Sequence, residues 1–200
     1  MYKRQGEWSD GNWWEEAVAT AHRGLELDDN EAESHRIMGS ISLYRREFDK
    51  AEFHFQKALT LNPNNAYVVG RLGEFYNFLG DGKRALRYQN RAMILDPLLP
   101  VYCRELEAVA HYVLGNYKDT VSVVSQLLHK SNRVHAYRVA ALVHLDDEIT
   151  TRKAVEELLA MNPEFCIQRF LGSEFYRDDD IPRQIAVDLK AAGLPDKVVI

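Results

Sequence analysis

Two stretches of this chain are one pattern written twice. "HRIMGSISLYRREFDKAEFHFQKALTLNP" carries Gly39, Ala51, Ala58 and Pro63, and "VGRLGEFYNFLGDGKRALRYQNRAMILDP" carries Gly73, Ala85, Ala92 and Pro97, each pair 34 residues apart. A repeat of that length is one supersecondary unit that cannot bury its apolar face alone, so it must stack on its neighbours. The small residues have a steric purpose. Glycine at 39 and 73 and alanine at 51 and 85 let the two helices of a unit approach closely, while Ala58 and Ala92 let the second helix meet the next unit. Pro63 and Pro97 then stop that helix. Bulky residues fall at helical spacing beside the small ones: Val69, Leu72 and Tyr76 in a first helix, Phe55 with Leu59 or Tyr88 with Met93 in a second.

One period earlier, Ala17, Gly24 and Leu27 fall under Ala51, Ala58 and Leu61, so "EEAVATAHRGLELDDN" reads as a second helix whose first is largely missing. Later, Gly115 falls under Gly80 at a register of 35, with Thr120 in the slot of Ala85. A last unit keeps "AVEELLAMNP", with Leu158 and Pro163 in the late positions and residues His135 to Leu145 as its first helix. The pattern resembles the tetratricopeptide repeat, a helix–turn–helix unit of this period. That resemblance implies an all-α fold, a right-handed superhelix (an α-α solenoid) of about four hairpins with a C-terminal capping helix. The expected units are 13–31 (partial), 32–65, 66–99, 101–134 and 132–165, with 166–200 as the capping segment.

In that segment Asp178, Asp179 and Asp180 stand where a helix start favours capping oxygens and negative charge, and Pro182 fits the first turn. Ile185, Ala186, Leu189 and Ala192 form an apolar stripe, with Gly193 as C-cap and Pro195 beyond. The helix is expected to lie on the open end of the last hairpin. "MNPEFCIQRF" followed by "FYRDDDIPRQIAVDLKAAGLP" also resembles the end of the repeat region in bacterial class III adenylate/guanylate cyclase proteins. The matching positions are Pro163, Phe165, Tyr176, Arg177, Asp178, Leu189, Ala192, Gly193, Leu194 and Pro195, while Asp179 departs from the family's usual Pro. The resemblance implies a cytoplasmic signalling protein with its catalytic domain upstream, and no catalytic residue carries over to this chain. Similar tails in winged-helix transcription regulators keep a second reading open, and a free-standing adaptor is a third. At the other end, "MYKRQ", residues 1–5, back-translates to the end of a transposon sequencing adapter, so 1–12 is read as an artefactual or disordered start and the reading frame as a fragment of a larger gene.

The remaining residues exclude more than they add. With 46% hydrophobic and 28% charged residues the chain has enough apolar material for a packed core. Its net charge of -5, with both signs interspersed, lacks the basic stripe that nucleic acid requires. The first thirty positions hold no uninterrupted apolar stretch of the kind a secretory signal needs, and no membrane-spanning run occurs. Cys103 and Cys166 form no CxxC pair, and the scattered histidines form no HxxxH or HExxH, so neither a metal nor a cofactor is expected. The Asp178 to Asp180 run reads as helix capping before it reads as a cation site. No Gly-x-Ser-x-Gly or phosphate-binding glycine loop is present, and the expectation is a chain without enzymatic activity. Trp13 or Trp14 is expected to cover the truncated first hairpin. What remains is a groove lined by the first helices: Arg36, Ser40, Tyr44, Tyr67, Glu74, Asn77, Phe78, Tyr102, Glu105 and Tyr112. Aromatic and arginine side chains of this kind dominate binding energy at interfaces, so the expected occupant is a protein or peptide segment, or a second copy of the chain.

Overall fold

The computed structural model describes residues 13 to 98 and 101 to 197, apart from the side chains of residues 13, 14, 101 and 102. The expectation for Trp13 and Trp14 therefore lies outside the described residues, as does residue 8. Every regular element among the described residues is an α-helix, so the all-α class expected from the repeat is the one observed. The chain divides into two compact units, residues up to Pro63 and residues from Asn64.

In the first unit, α2 (Ala32–Tyr44) packs against both α1 (Trp13–Leu27) and α3 (Phe48–Leu61). Ala21, Met38 and Ile41 meet in one core with Val18, Leu25 and Ile37 around them. The α2–α3 approach is set by Gly39, where an added Cβ would come within 2.7 Å of the Phe55 ring. Leu43, Ala51, Phe55 and Ala58 are consequently sealed from solvent. The Glu31 side chain begins α2 by accepting from the N–H groups of Glu33 and Ser34, satisfying donors that a helix start leaves open.

The second unit holds three hairpins, α4 (Ala66–Phe78) with α5 (Gly82–Leu95), α6 (Val101–Val113) with α7 (Tyr117–Ser125), and α8 (Asn132–Val143) with α9 (Glu148–Met161). Each first helix packs on its own second helix, and α6 touches both α4 and α8, so the three first helices share one face. Gly73 repeats the role of Gly39 with a different neighbour. Its missing Cβ leaves room for Gln89, whose amide Nε2 donates to the Gly70 carbonyl at 3.1 Å. Thr120, in the slot that alanine fills elsewhere, is fully buried and its hydroxyl lies within hydrogen-bonding reach of the Ala108 and Asn116 carbonyls. A buried hydroxyl is tolerated there because it is bonded.

The turn from first to second helix passes in every hairpin through one residue with left-handed backbone: Arg46 at φ 59°, Gly80 at 76°, Gly115 at 74° and Asp146 at 53°. Gly115 therefore takes the place in its turn that Gly80 takes 35 residues earlier. Where the residue is not glycine, the L side chain crowds its own carbonyl.

After α9 come α10 (Ile167–Gly172) and α11 (Asp180–Ala191), and α11 packs on α8 and α10. Two details differ from the sequence reading. The aspartate run does not cap α11: Asp179, at the N-cap, has helical backbone angles of -81° and -7° and makes no side-chain cap bond. A capping oxygen needs an extended N-cap residue to reach back. The carboxylates instead face solvent beside Arg177 and Arg183, at 3.5 to 3.6 Å. The segment also does more than lie on the end of the last hairpin, because its start runs back along the shared first-helix face as far as α4. Its C-terminal end matches expectation, with Gly193 at φ 88° and the Leu194 N–H donating to the Leu189 carbonyl at 3.1 Å. The carbonyls of Pro195 and Asp196 then accept from the N–H groups of Ile167 and Gln168, closing residues 167 to 196 into a loop.

The left-handed turn residues give a paired expectation. Asp146→Gly raises the unfolding free energy by roughly 0.5–1 kcal/mol and Gly80→Ala lowers it by roughly 1–2 kcal/mol, because only glycine occupies that backbone region without crowding. Urea unfolding followed by circular dichroism measures both.

Candidate functional site

The ten residues expected to line a groove take three different situations. In the first unit Arg36, Ser40 and Tyr44 are half-buried, and Arg36 is paired with Glu33, its Nε 2.8 Å from Glu33 Oε2. The Ser40 hydroxyl has no hydrogen-bond partner among the described residues. In the second unit Tyr67 is half-buried, with the Arg71 guanidinium 5.6 Å above its ring. The Tyr102 side chain lies outside the described residues.

The other five are buried, which corrects their reading as an open lining. Asn77 and Glu105 are struts between neighbouring first helices. The Asn77 amide donates across to the Leu106 carbonyl of α6 at 2.9 Å, and Glu105 accepts from both the N–H and the hydroxyl of Ser131, the N-cap of α8, at 2.7 Å each. Phe78 and Tyr112 are joined to residues that the chain's own C-terminal segment brings over or against them, while Glu74 pairs with Arg71 of its own helix and lies 4.0 Å from Arg133 of α8. The physical reason is non-local: the residues following α10 cross the face that the hairpin register had left open.

That crossing is built around a charge. Arg133, on α8 and only 15% exposed, forks onto Glu174, with Nε to Oε1 at 2.7 Å and Nη2 to Oε2 at 3.0 Å. Such a bidentate pair fixes geometry as well as charge. The Tyr137 hydroxyl donates to the same carboxylate at 2.6 Å and lies 2.8 Å from the Tyr176 hydroxyl. Burial works against the charge on Arg133, yet Glu174, Tyr137 and Glu74 around it hold its pKa well above the usual value. Burial, reinforced by Glu174, pushes the Tyr137 and Tyr176 hydroxyls up, so both stay protonated donors.

Phe78 seats the middle of the segment. The rings of Phe175 and Tyr176 stand edge-on to it at 5.8 and 5.3 Å, and the Arg133 guanidinium sits 5.2 Å from its centroid. The Arg177 N–H donates to the Phe78 carbonyl at 2.9 Å, satisfying an acceptor at the end of α4. Further along, the Asp188 carboxylate of α11, 2% exposed, accepts from the Tyr112 hydroxyl at 2.6 Å and from Gln184 Nε2 at 2.7 Å, and lies 2.8 Å from His144 Nε2. His144 stacks flat on Tyr117 at 3.9 Å. Burial first, then Asp188, raises the Tyr112 pKa far above the tyrosine range.

Sequence reasoning missed Arg133, Tyr137, Glu174 and Asp188. Only Asp188 carried a signal, a carboxylate beside the apolar Leu189 on a short helix. It also missed the approach of His35 and His54, whose Nδ1 atoms lie 2.9 Å apart, with His54 depressed by burial and by the neighbouring His35 and His22. Among the described residues no group of three or more His, Cys, Asp or Glu converges on a metal position. None of their helices is long and apolar enough to cross a membrane.

The tetratricopeptide repeat family matches residues 32–65. Superkiller protein 3 of Schizosaccharomyces pombe is 32% identical over 127 residues, 60% of this chain and 9% of that protein. Anaphase-promoting complex subunit 3 of the same organism is 30% identical over 96 residues, 48% of this chain and 14% of that protein. The chain thus spans only a small part of the length of these relatives. Among solved structures, PilW, a type IV pilus biogenesis factor, superposes with a TM-score of 0.71 at 15% identity, covering 92% of this chain and 88% of its own, a likeness of fold.

Asp188 gives the expectation for this face. Asp188→Asn lowers the unfolding free energy of the second unit by about 2 kcal/mol, because buried bonds to a charged acceptor are the strong ones. Exposed Asp178→Asn changes it by less than about 0.5 kcal/mol. Urea titration of the two variants compares them directly.

Proposed function

We propose, from the premise that this chain carries tetratricopeptide-type helical repeats, that it is a non-catalytic protein-interaction module whose partner contacts begin in the first unit. The observation that carries the reading is the contrast between the two sets of expected groove residues. Glu74, Asn77, Phe78, Glu105 and Tyr112 are buried within the second unit, whereas Arg36, Ser40 and Tyr44 keep part of their surface. An arginine and a tyrosine about two turns apart on one helix face, with a serine one turn from each, supply a cation, an aromatic ring and hydrogen-bonding groups to a protein or peptide segment. The name of one relative, a subunit of a multi-protein complex, supports an assembly role.

The finer reading places the module in the cytoplasm, as the C-terminal part of a signalling protein of the class III cyclase type, where a binding event or self-association is transmitted to an upstream output domain. Its support is the tail pattern from Pro163 to Pro195. The burial of Tyr176, Leu189 and Leu194 gives that pattern a structural cause, since each is a contact that holds the segment in place. A winged-helix regulator with the same tail is the second reading, and genomic sequence upstream separates the two by the domain it encodes.

Partner capture tests the module itself. Arg36→Ala with Tyr44→Ala is expected to reduce recovery of the captured protein by about tenfold while helicity is unchanged, as loss of an interface hot spot does. Undiminished capture moves the contact off α2.

A further inference from the structure

We infer that the first-helix face of the second unit is a binding site for an extended peptide segment reading Glu-Phe-Tyr, and that residues 174 to 176 are the chain's own copy of that ligand. The inference rests on the proposed role as an interaction module and names the ligand chemistry of one of its faces.

The segment behaves as a ligand laid across a site. It has no regular secondary structure between α10 and α11, and its side chains alternate as an extended strand requires. Ser173 and Arg177 are exposed, Glu174 and Tyr176 point inward and are buried, and Phe175 is half-buried. Each inward side chain meets a partner fixed on the hairpins. Glu174 meets the Arg133 fork and the Tyr137 hydroxyl, while Tyr176 meets Phe78 and the same Tyr137 hydroxyl. The backbone adds one bond, from the Arg177 N–H to the Phe78 carbonyl.

The receptor side is complementary to that sequence and to few others. Arg133 lies between Glu174 and Glu74, and its contact with Glu74 is 4.0 Å against 2.7 Å for Glu174. Without the incoming carboxylate the guanidinium keeps its ring contacts with Phe78 and Tyr137 but only the distant carboxylate of Glu74, which Arg71 already pairs, in a setting where an unbalanced charge is costly. The site therefore demands an anionic residue, followed two positions later by an aromatic ring that reaches Phe78 and carries a hydroxyl for Tyr137. A partner offering that pair competes with the chain's own segment, and its apparent affinity is reduced by the small fraction of time the segment is released.

The test uses a fluorescein-labelled peptide with the sequence of residues 172 to 179, Gly-Ser-Glu-Phe-Tyr-Arg-Asp-Asp, and the full chain. Glu174→Ala with Tyr176→Ala in the chain is expected to tighten peptide binding by about tenfold or more over the unaltered chain, and adding Arg133→Gln is expected to remove that gain. Equal binding by the altered and unaltered chains, or binding indifferent to Arg133, overturns the inference. If the double variant does not fold, hydrogen exchange on the unaltered chain decides. Saturating peptide must speed exchange of the amides of residues 174 to 178 by about fivefold or more, and unchanged exchange overturns the inference. A dimer formed by exchange of the segment between two copies, seen by light scattering, overturns the partner assignment in favour of a second chain. Because the peptide assay needs no cellular partner, its failure leaves capture through Arg36 and Tyr44 standing, and failure of that capture leaves the peptide result standing.

Discussion

Arg133 is a cation on a helix face with little access to water, and the second unit is arranged around the carboxylate that answers it. Taking a guanidinium out of water is unfavourable by several kcal/mol, and a buried ion pair recovers that only with good geometry and fully used hydrogen bonds. Both conditions hold: the fork is bidentate, and a tyrosine hydroxyl completes the carboxylate. The pair lies 41 residues apart in sequence, so it forms only when the chain after α10 comes back across α8. That return determines the rest. It sets Phe175 and Tyr176 on Phe78, gives the Phe78 carbonyl the Arg177 amide, and delivers α11 to α8 with Asp188 against Tyr112 and His144.

The same constraint changes what the repeat face can do. In an open array the first helices present their aromatic and charged residues to solvent and to partners. Here five of those in the second unit are used internally: Asn77 and Glu105 tie α4 to α6 and α6 to α8, and Glu74, Phe78 and Tyr112 join the network of the returning segment. A binding function at this face becomes a competition with an internal ligand. One at the half-exposed residues of α2 does not.

What was legible in the sequence follows from locality. Gly39, Gly73 and the buried alanines at 51, 58, 85 and 92 could be read because close helix approach repeats with the period. Gly193 could be read because a C-cap is a property of a few consecutive residues. The aspartate run misled because composition favours a cap, while the backbone at Asp179 is already helical and turns its carboxylate away. For Phe78 and Tyr112 the register put the right residues on the right face, but burial depended on a segment 98 and 76 residues later, which no periodicity encodes. Arg133 and Glu174 belong to no repeated position, and each alone looks like an ordinary surface charge.

A double-mutant cycle on Arg133 and Glu174 tests this account most directly, with Arg133→Met, Glu174→Gln and the combined variant compared by urea unfolding. If the pair holds the C-terminal segment on the first-helix face, each single change is strongly destabilising and the coupling energy is about 2 kcal/mol or more, as expected for a buried, hydrogen-bonded ion pair. A coupling below about 0.5 kcal/mol, the value of an exposed pair, would contradict it.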